Sequence, residues 1–240
     1  RFPAGEVSAI LGESGSGKSV LGKAVLRLLD RAEIQGSIRL GDVELTTLSE
    51  GALRTIRGQK IFFLPQEPSV ALNPALSIGE QITEALEYHH GLTEREAYRR
   101  GEEELTAYGF ENSRDILRSF AFQLSGGMQQ RVLCAMASIL RPDWILADEP
   151  TKGLDPLLRR QMIDLLWKLH RDTGGGLIFI THDLRLVQEA ATTCVVLREG
   201  RLVESGRVEE VWEHPRTEYA QRLVQAAKFP DGDEGRKACD

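Results

Sequence analysis

Gly12-Glu13-Ser14-Gly15-Ser16-Gly17-Lys18-Ser19 lies between a short apolar run, Val7 to Leu11, and a segment from Val20 to Leu29 whose apolar residues recur at helical spacing. That order predicts strand, loop and helix, the context in which a G-x-x-x-x-G-K-[ST] string carries chemistry. The glycines let consecutive backbone N–H groups turn around a polyphosphate at the positive end of a helix dipole. Lys18 would offset charge on the β- and γ-phosphates, and the Ser19 hydroxyl would ligate Mg²⁺. A Gly/Ser stretch can also be a flexible turn and nothing more; the strand before it and the helix after it argue against that here.

A phosphate cradle binds nucleotide, whereas hydrolysis also needs a carboxylate to orient a metal and a group to position water. Ile145-Leu146-Ala147-Asp148-Glu149 supplies both candidates at the end of an apolar strand. Asp148 would hold Mg²⁺ directly or through water, and Glu149, on the opposite side of an extended chain, would polarise the attacking water. Without the Gly12 loop the same string would fit a strand ending in a solvated acidic turn equally well.

Composition bounds the setting. With 240 residues, 41% of them hydrophobic, the chain can build one sizeable core with a smaller appended lobe. The 30 Lys and Arg against 36 Asp and Glu leave a net charge of −6, so no bulk attraction to nucleic acid or anionic lipid is expected. The longest nearly apolar stretch, Val132 to Leu140, is about half of the roughly 20 residues that a membrane-spanning helix requires. Cys134, Cys194 and Cys239 form neither a zinc-type pair nor a disulfide framework and are expected to be reduced, in a cytoplasmic setting. Position 1 is Arg, no secretion signal precedes the first strand, and the natural beginning of the chain is expected to be missing.

The remaining pattern is α/β. Ile38 to Leu40 and Val43 to Leu45 flank Gly41-Asp42 as a hairpin, and Ile61 to Leu64 reads as a strand. From about Gln66 to Leu124 the pattern is helical and polar, including Ile78 to His89 and Arg95 to Tyr108, and suggests an inserted helical lobe. A helix at Gly126 to Leu140, a strand at Trp144 to Ala147, a helix at Leu158 to His170 and a strand at Leu177 to Ile180 follow. That alternation predicts a mainly parallel sheet covered by helices. Val195 to Leu197 and Leu202 to Val203 suggest a second hairpin about Glu199-Gly200, Val208 to Ala227 is helical, and the tail from Lys228 is expected to be disordered.

Leu124-Ser125-Gly126-Gly127-Met128-Gln129-Gln130 discriminates most. Ser125 could be an ordinary helix cap, and the step has the chemistry of a second anion-binding helix start. With the phosphate loop before it and the Asp-Glu pair after it, this string resembles the signature of ATP-binding cassette (ABC) ATPases. The resemblance implies a P-loop NTPase core with an antiparallel β subdomain and an inserted helical subdomain at about 67–135, in a single domain spanning 1–227. It implies ATP and Mg²⁺ as cofactors. Residues Gly12, Glu13, Ser14, Gly15, Ser16, Gly17, Lys18 and Ser19 would hold one face of each ATP, and Ser125, Gly126 and Gly127 of another subunit would close the other in a head-to-tail dimer. Gln66 matches the Q-loop glutamine, which senses metal and water. Gly153-Leu154-Asp155 matches the D-loop, with Asp155 communicating across the dimer while also capping the helix at Pro156. His182 matches the switch histidine that contacts the γ-phosphate. The aromatic residue on which the family stacks adenine has no counterpart in this sequence.

Pro65-Gln66-Glu67-Pro68, Leu72-Asn73-Pro74, Ile78-Gly79-Glu80-Gln81-Ile82, Met128-Gln129-Gln130-Arg131, Ala147-Asp148-Glu149-Pro150-Thr151 and Glu213-His214-Pro215-Arg216-Thr217 are similar to the oligopeptide, dipeptide and nickel importer subfamily. That branch implies a second ATPase, homologous or identical, two membrane permeases, an extracytoplasmic binding protein and a peripheral place on the cytoplasmic membrane face. Nucleic acid is not an expected partner. Thr151-Lys152-Gly153 departs from the usual small or polar residues before the D-loop, so communication across the dimer could be asymmetric. Only Cys239 lies where some relatives carry a cysteine cluster, so no iron–sulfur centre is predicted, and the shorter tail leans toward nickel or a metallophore as cargo. A DNA-repair type would need long coiled-coil arms between Lys18 and Leu124, where sustained heptads are lacking. A translation-factor type would carry two cassettes, and a soluble complex of the phosphonate-metabolism kind stays open. His89-His90 and Glu102 to Glu104 are read as surface, Trp144 and Trp212 as packing residues, and Cys134 as a buried thiol.

Overall fold

A computed structural model describes residues 1–29 and 34–228; the tail expected to be disordered lies, beyond Lys228, outside the described residues. The strands are β1 (Val7–Leu11), β2 (Arg39–Leu40), β3 (Val43–Glu44), β4 (Ile61–Leu64), β5 (Trp144–Asp148), β6 (Gly176–Thr181), β7 (Thr193–Arg198) and β8 (Arg201–Arg207). The helices before β5 are α1 (Lys18–Val25), α2 (Glu50–Ile56), α3 (Pro68–Ala71), α4 (Ile78–His90), α5 (Glu94–Ala107), α6 (Ser113–Arg118) and α7 (Gly126–Leu140). After β5 come α8 (Pro156–Thr173), α9 (Leu184–Ala190), α10 (Val208–Glu213) and α11 (Glu218–Lys228).

β1 and β6 are buried along their whole lengths, as parallel strands covered on both faces must be. The main sheet runs β4-β5-β6-β1-β7-β8, with β7 and β8 antiparallel and the remaining pairs parallel. Alternation along the strands splits the core in two. Leu11, Leu177 and Phe179 join a large cluster with α7, α8 and the helical lobe, while Ile10, Ile178 and Ile180 meet Leu26 and Ile61 on the other face. β2 and β3 form a separate two-stranded ribbon, shorter than the sequence pattern suggests.

Local chemistry sets the helix ends. Ser77 and Glu80 form a reciprocal capping box at the start of α4, which stops at Gly91 with φ 64°. Asp155 caps α8 ahead of Pro156, and α8 ends at Gly174 with φ 68°. α7 packs against α4 and α5 on one side and α8 on the other, so it joins the helical lobe to the sheet. Tyr108, just past α5, donates its hydroxyl hydrogen to Asp172 of α8 at 3.1 Å, with the Lys168 ammonium 4.4 Å from the ring centre.

Two sequence expectations change. The helix expected to reach Leu29 stops at Val25, because Arg27 turns left-handed at φ 51° and sends its guanidinium to the Leu48 carbonyl, while Leu26 drops into the smaller core cluster. The C-terminal helical stretch is broken between α10 and α11. There Glu204 of β8 accepts hydrogen bonds from Arg216 N at 2.9 Å, Thr217 N at 2.9 Å and Thr217 Oγ1 at 2.8 Å. Burial alone would raise the Glu204 pKa; these bonds outweigh it and hold the group below the usual carboxylate value. Helices α2 and α9, seven residues each, were not expected from the sequence pattern.

Most of the residues set aside lie at the surface or in the core; His89, expected at the surface, is half-buried against Gly58, and burial lowers its pKa. Glu102 pairs with Arg114 at 2.8 Å and Glu103 with Arg99 at 3.3 Å. Cys134 is fully buried, which pushes its thiol up to about 12. Trp144 covers Gly176, where a Cβ would stand 2.5 Å from the indole ring. Trp212 is partly buried against the large cluster.

Phe179, completely buried at the centre of the sheet, is the largest side chain with no exposure. Phe179→Ala is expected to cost about 3–5 kcal/mol of unfolding free energy, read in urea as a lower midpoint at unchanged slope.

Candidate functional site

The parallel register brings four loops to one edge. Leu11 stands opposite Thr181, and Asp148 opposite Ile180, so β1, β5 and β6 end side by side; β4 adds its own exit beside β5. In open sheets of this kind the carboxyl ends of the strands are where ligands bind.

After β1 the chain turns back sharply at Gly15, φ 83°, and Gly17, φ 95°, conformations that a Cβ disfavours. Gly12 is required for a different reason: a Cβ there would lie 2.3 Å from the Leu197 carbonyl oxygen. Lys18, the first residue of α1 and 5% exposed, donates from Nζ to the Gly12 carbonyl at 2.7 Å and the Glu13 carbonyl at 2.8 Å. The ammonium therefore closes back on its own loop. Burial lowers its pKa, against the opposing pull of Glu149 and Asp148. Ser16 Oγ is buried without any partner, an unsatisfied polar atom inside the curl that an anion's hydrogen-bonding shell would suit.

Ser19 donates to Asp148 Oδ1 at 2.8 Å, and Asp148 is only 3% exposed. Burial raises the Asp148 pKa; Glu149 adds to this, and the Ser19 bond, Lys23 and Lys18 counter it without cancelling it. A buried carboxylate with that much unmet charge, next to a hydroxyl, is a hard-oxygen donor set suited to Mg²⁺. Ser19, Asp148 and Gln66 line one cavity of about 650 Å³. Among the described residues no group of three or more His, Cys, Asp and Glu could hold a metal ion, so a divalent cation here would depend on phosphate oxygens as well.

Glu149 departs from the extended conformation expected for it. Its N–H donates to the Ile180 carbonyl at 2.7 Å, and the residue then turns left-handed at φ 47° instead of continuing the strand. The turn swings the carboxylate, 7% exposed, between two nitrogen groups: His182 Nδ1 lies 2.8 Å from Oε2 and 2.9 Å from Oε1, and Lys18 Nζ lies 3.9 Å from Oε1. His182 itself follows β6 and is half exposed, so its other ring nitrogen is free to meet a ligand. Gln66 is exposed in the loop after β4, with its Oε1 3.5 Å from Lys152 Nζ.

Ser125, Gly126 and Gly127 lie elsewhere. Ser125 accepts from Met128 N at 3.3 Å as the cap of α7, and a Cβ on either glycine would meet nothing within 4 Å. Gln129 fixes this tip by donating to the Ala121 and Leu124 carbonyls at 2.7 and 3.1 Å. Asp155 caps α8, accepting from Leu157 N at 2.9 Å and Leu158 N at 3.0 Å. No polar contact among the described residues joins these groups to the phosphate loop.

Sequence reasoning missed three residues of the site's surroundings. Tyr219 of α11 accepts from Glu13 N at 3.1 Å, under the Arg198 guanidinium 5.2 Å from the ring centre. Its separation from the loop by most of the chain leaves no local signal. Gln129 was visible within the signature string but not as a support. Lys152 stood out as a departure, without an assigned role.

Residues 1–152 match the family described as ABC transporter. The oligopeptide transport ATP-binding protein AppD of Bacillus subtilis is 38% identical over 232 residues, covering 95% of this chain and 71% of that protein. The oligopeptide transport ATP-binding protein OppD of Lactococcus lactis (strain SK11) is 41% identical over 224 residues, 92% of this chain and 66% of that protein. Among solved structures, the dimeric ATP-binding cassette MJ0796, in a post-hydrolysis state bound to ADP and Pi, superposes with a TM-score of 0.73 at 28% identity, covering 87% of this chain and 88% of that one. CbiO1 from Clostridium perfringens, part of the ABC transporter complex cbiONQ, gives 0.73 at 28% identity, with 89% and 82% covered.

Asp148→Asn keeps an acceptor for Ser19 and removes the buried charge. Because the native Asp148 pKa is raised, its ionised form weighs against folding, and the stability of the chain falls as pH rises through that value. Urea titrations are expected to show the variant more stable than the parent at about pH 7.5, the difference closing as the pH falls to about 3.

Proposed function

The chain belongs to the ABC transporter family of ATP-binding subunits, and from that premise we propose that it is the Mg²⁺-dependent ATPase of a peptide-type importer. The observation that carries this reading is the meeting of Lys18, Glu149 and His182 beside the Ser19–Asp148 pair. Each of those groups has a role that the others make possible.

The backbone N–H groups of Gly12 to Ser19 and the Lys18 ammonium hold the phosphates, once Lys18 exchanges its two loop carbonyls for phosphate oxygens. Ser19, Asp148 and Gln66 hold Mg²⁺, which when bound neutralises charge developing on the terminal phosphate oxygens. Glu149 accepts the proton of the attacking water, and its bond to His182 keeps the carboxylate aimed while the exposed side of His182 donates to the γ-phosphate. The left-handed Glu149 backbone is the kind of strain that a reactive position retains.

The exposed tip at Ser125, Gly126 and Gly127 acts on nucleotide held by another subunit, either a second copy or a homologous ATPase, with Asp155 at the same seam. Its open surroundings and its lack of contact with the chain's own loop support that reading. No helix among the described residues is long and apolar enough to cross a membrane. The importer assignment therefore calls for two partner permeases, fed by an extracytoplasmic binding protein, with this subunit peripheral on the cytoplasmic face. The relatives named for oligopeptide transport favour a peptide cargo over nickel or a metallophore.

Glu149→Gln is expected to bind ATP within a few-fold of the parent, to form a closed ATP-bound dimer by light scattering, and to lose about 100-fold or more in steady-state turnover. Undiminished hydrolysis would remove Glu149 from this role. Affinity capture of the full chain from detergent extract is expected to retain permease subunits; recovery with soluble enzymes only would point to the non-transport alternative.

A further inference from the structure

We propose that Lys152 is a positioning residue that competes with the divalent cation for the side-chain oxygen of Gln66. The inference rests on the reading of Gln66 as a metal ligand.

The contact is a product of topology. β4 and β5 pair in parallel with Leu64 opposite Ala147, so the segments after them leave the sheet side by side. Left-handed Glu149 then reverses the second segment, and Lys152 N donates to the Glu149 carbonyl at 3.1 Å, closing a turn that returns residue 152 toward the first. From there Lys152 Nζ reaches Gln66 Oε1 at 3.5 Å.

A primary amide offers a hard cation only its oxygen, since the nitrogen's lone pair is delocalised and its hydrogens are donors. An ammonium on that oxygen and a metal ion on it therefore exclude one another by occupancy and by like charge. The other groups of the cluster are differently engaged: Ser19 with Asp148, Glu149 with His182, and Lys18 with its own loop. Gln66 is the proposed ligand whose oxygen already faces a cation. Both side chains are exposed and the contact is long, so it yields readily and sets a threshold rather than a block. The charge of Lys152 is also felt at Lys18, where it adds to the lowering of that amine's pKa, so both ammoniums share one field. A metal that took Gln66 would release the Lys152 ammonium from it. A small or polar residue at 152 could not couple the two events.

The test is calorimetric binding of a nonhydrolysable ATP analogue to the full chain at stepped Mg²⁺ concentrations. Lys152→Met is expected to lower the half-saturating Mg²⁺ concentration by about two- to fivefold, the scale of one weak hydrogen bond. Lys152→Arg, which keeps a cationic donor, is expected to stay close to the parent. Gln66→Ala is expected to raise the Mg²⁺ requirement, and adding Lys152→Met to it to change nothing further. A Lys152→Met shift that persists in the Gln66→Ala background would report charge alone and overturn the competition. If Gln66→Ala raises the requirement while Lys152→Met leaves it unchanged, the competition falls and Gln66 stands as a ligand. If Gln66→Ala has no effect, Gln66 is not a ligand and both readings fall together.

Discussion

The parallel pairing of β1 with β6 and of β6 with β5 is the constraint on which the site depends. Leu11 opposite Thr181 and Asp148 opposite Ile180 end the three strands within a residue of one another. Everything chemical then follows from what each strand releases at that edge: the phosphate loop, the Asp148-Glu149 pair and His182. A one-residue slip of β5 would turn its core residues to the opposite face and carry Asp148 away from Ser19. β5 gives Ile145 and Ala147 to one core cluster and Leu146 to the other, so a slip would exchange side chains between two differently packed faces.

The price of such an edge is electrostatic. Asp148 and Lys18 are both taken out of water, and each is shifted toward its neutral form by burial. The internal contacts are partial substitutes. Lys18 satisfies itself with loop carbonyls, Asp148 with one hydroxyl, Glu149 with His182, and Ser16 Oγ with nothing. On the proposed function a polyphosphate and its metal would complement this set as a group, which would link ligand binding to stability through the same residues. Lys152 extends that linkage to the loop after β4.

Support for the loop comes from the far end of the chain. Glu204 gathers the backbone of Arg216 and Thr217, which starts α11, and α11 brings the Tyr219 hydroxyl to Glu13 N. The segment Glu213 to Thr217, similar to a subfamily ending, thereby acquires a physical function: it sets the angle at which the last helix reaches the phosphate loop. Pro215 helps by interrupting what would otherwise continue as α10.

The sequence by itself determined which residues are candidates for the site and the elements that carry them. Periodicity and turn residues were enough for β1, α4, α5, α7 and the β7–β8 hairpin, because local preferences there agree with tertiary burial. It also determined the family, through motifs whose order and intervals are specific. Only the tertiary structure decided the early end of α1, the left-handed turn at Glu149, and the contacts of Tyr219, Glu204 and Lys152. Those depend on groups distant in the chain, and burial of Leu26, the ladder bond from Glu149 to Ile180 and the β4–β5 register outweigh local preference at each point. Local energies are written in neighbouring residues; a long-range contact exists only after the chain has closed the loops that bring its partners together.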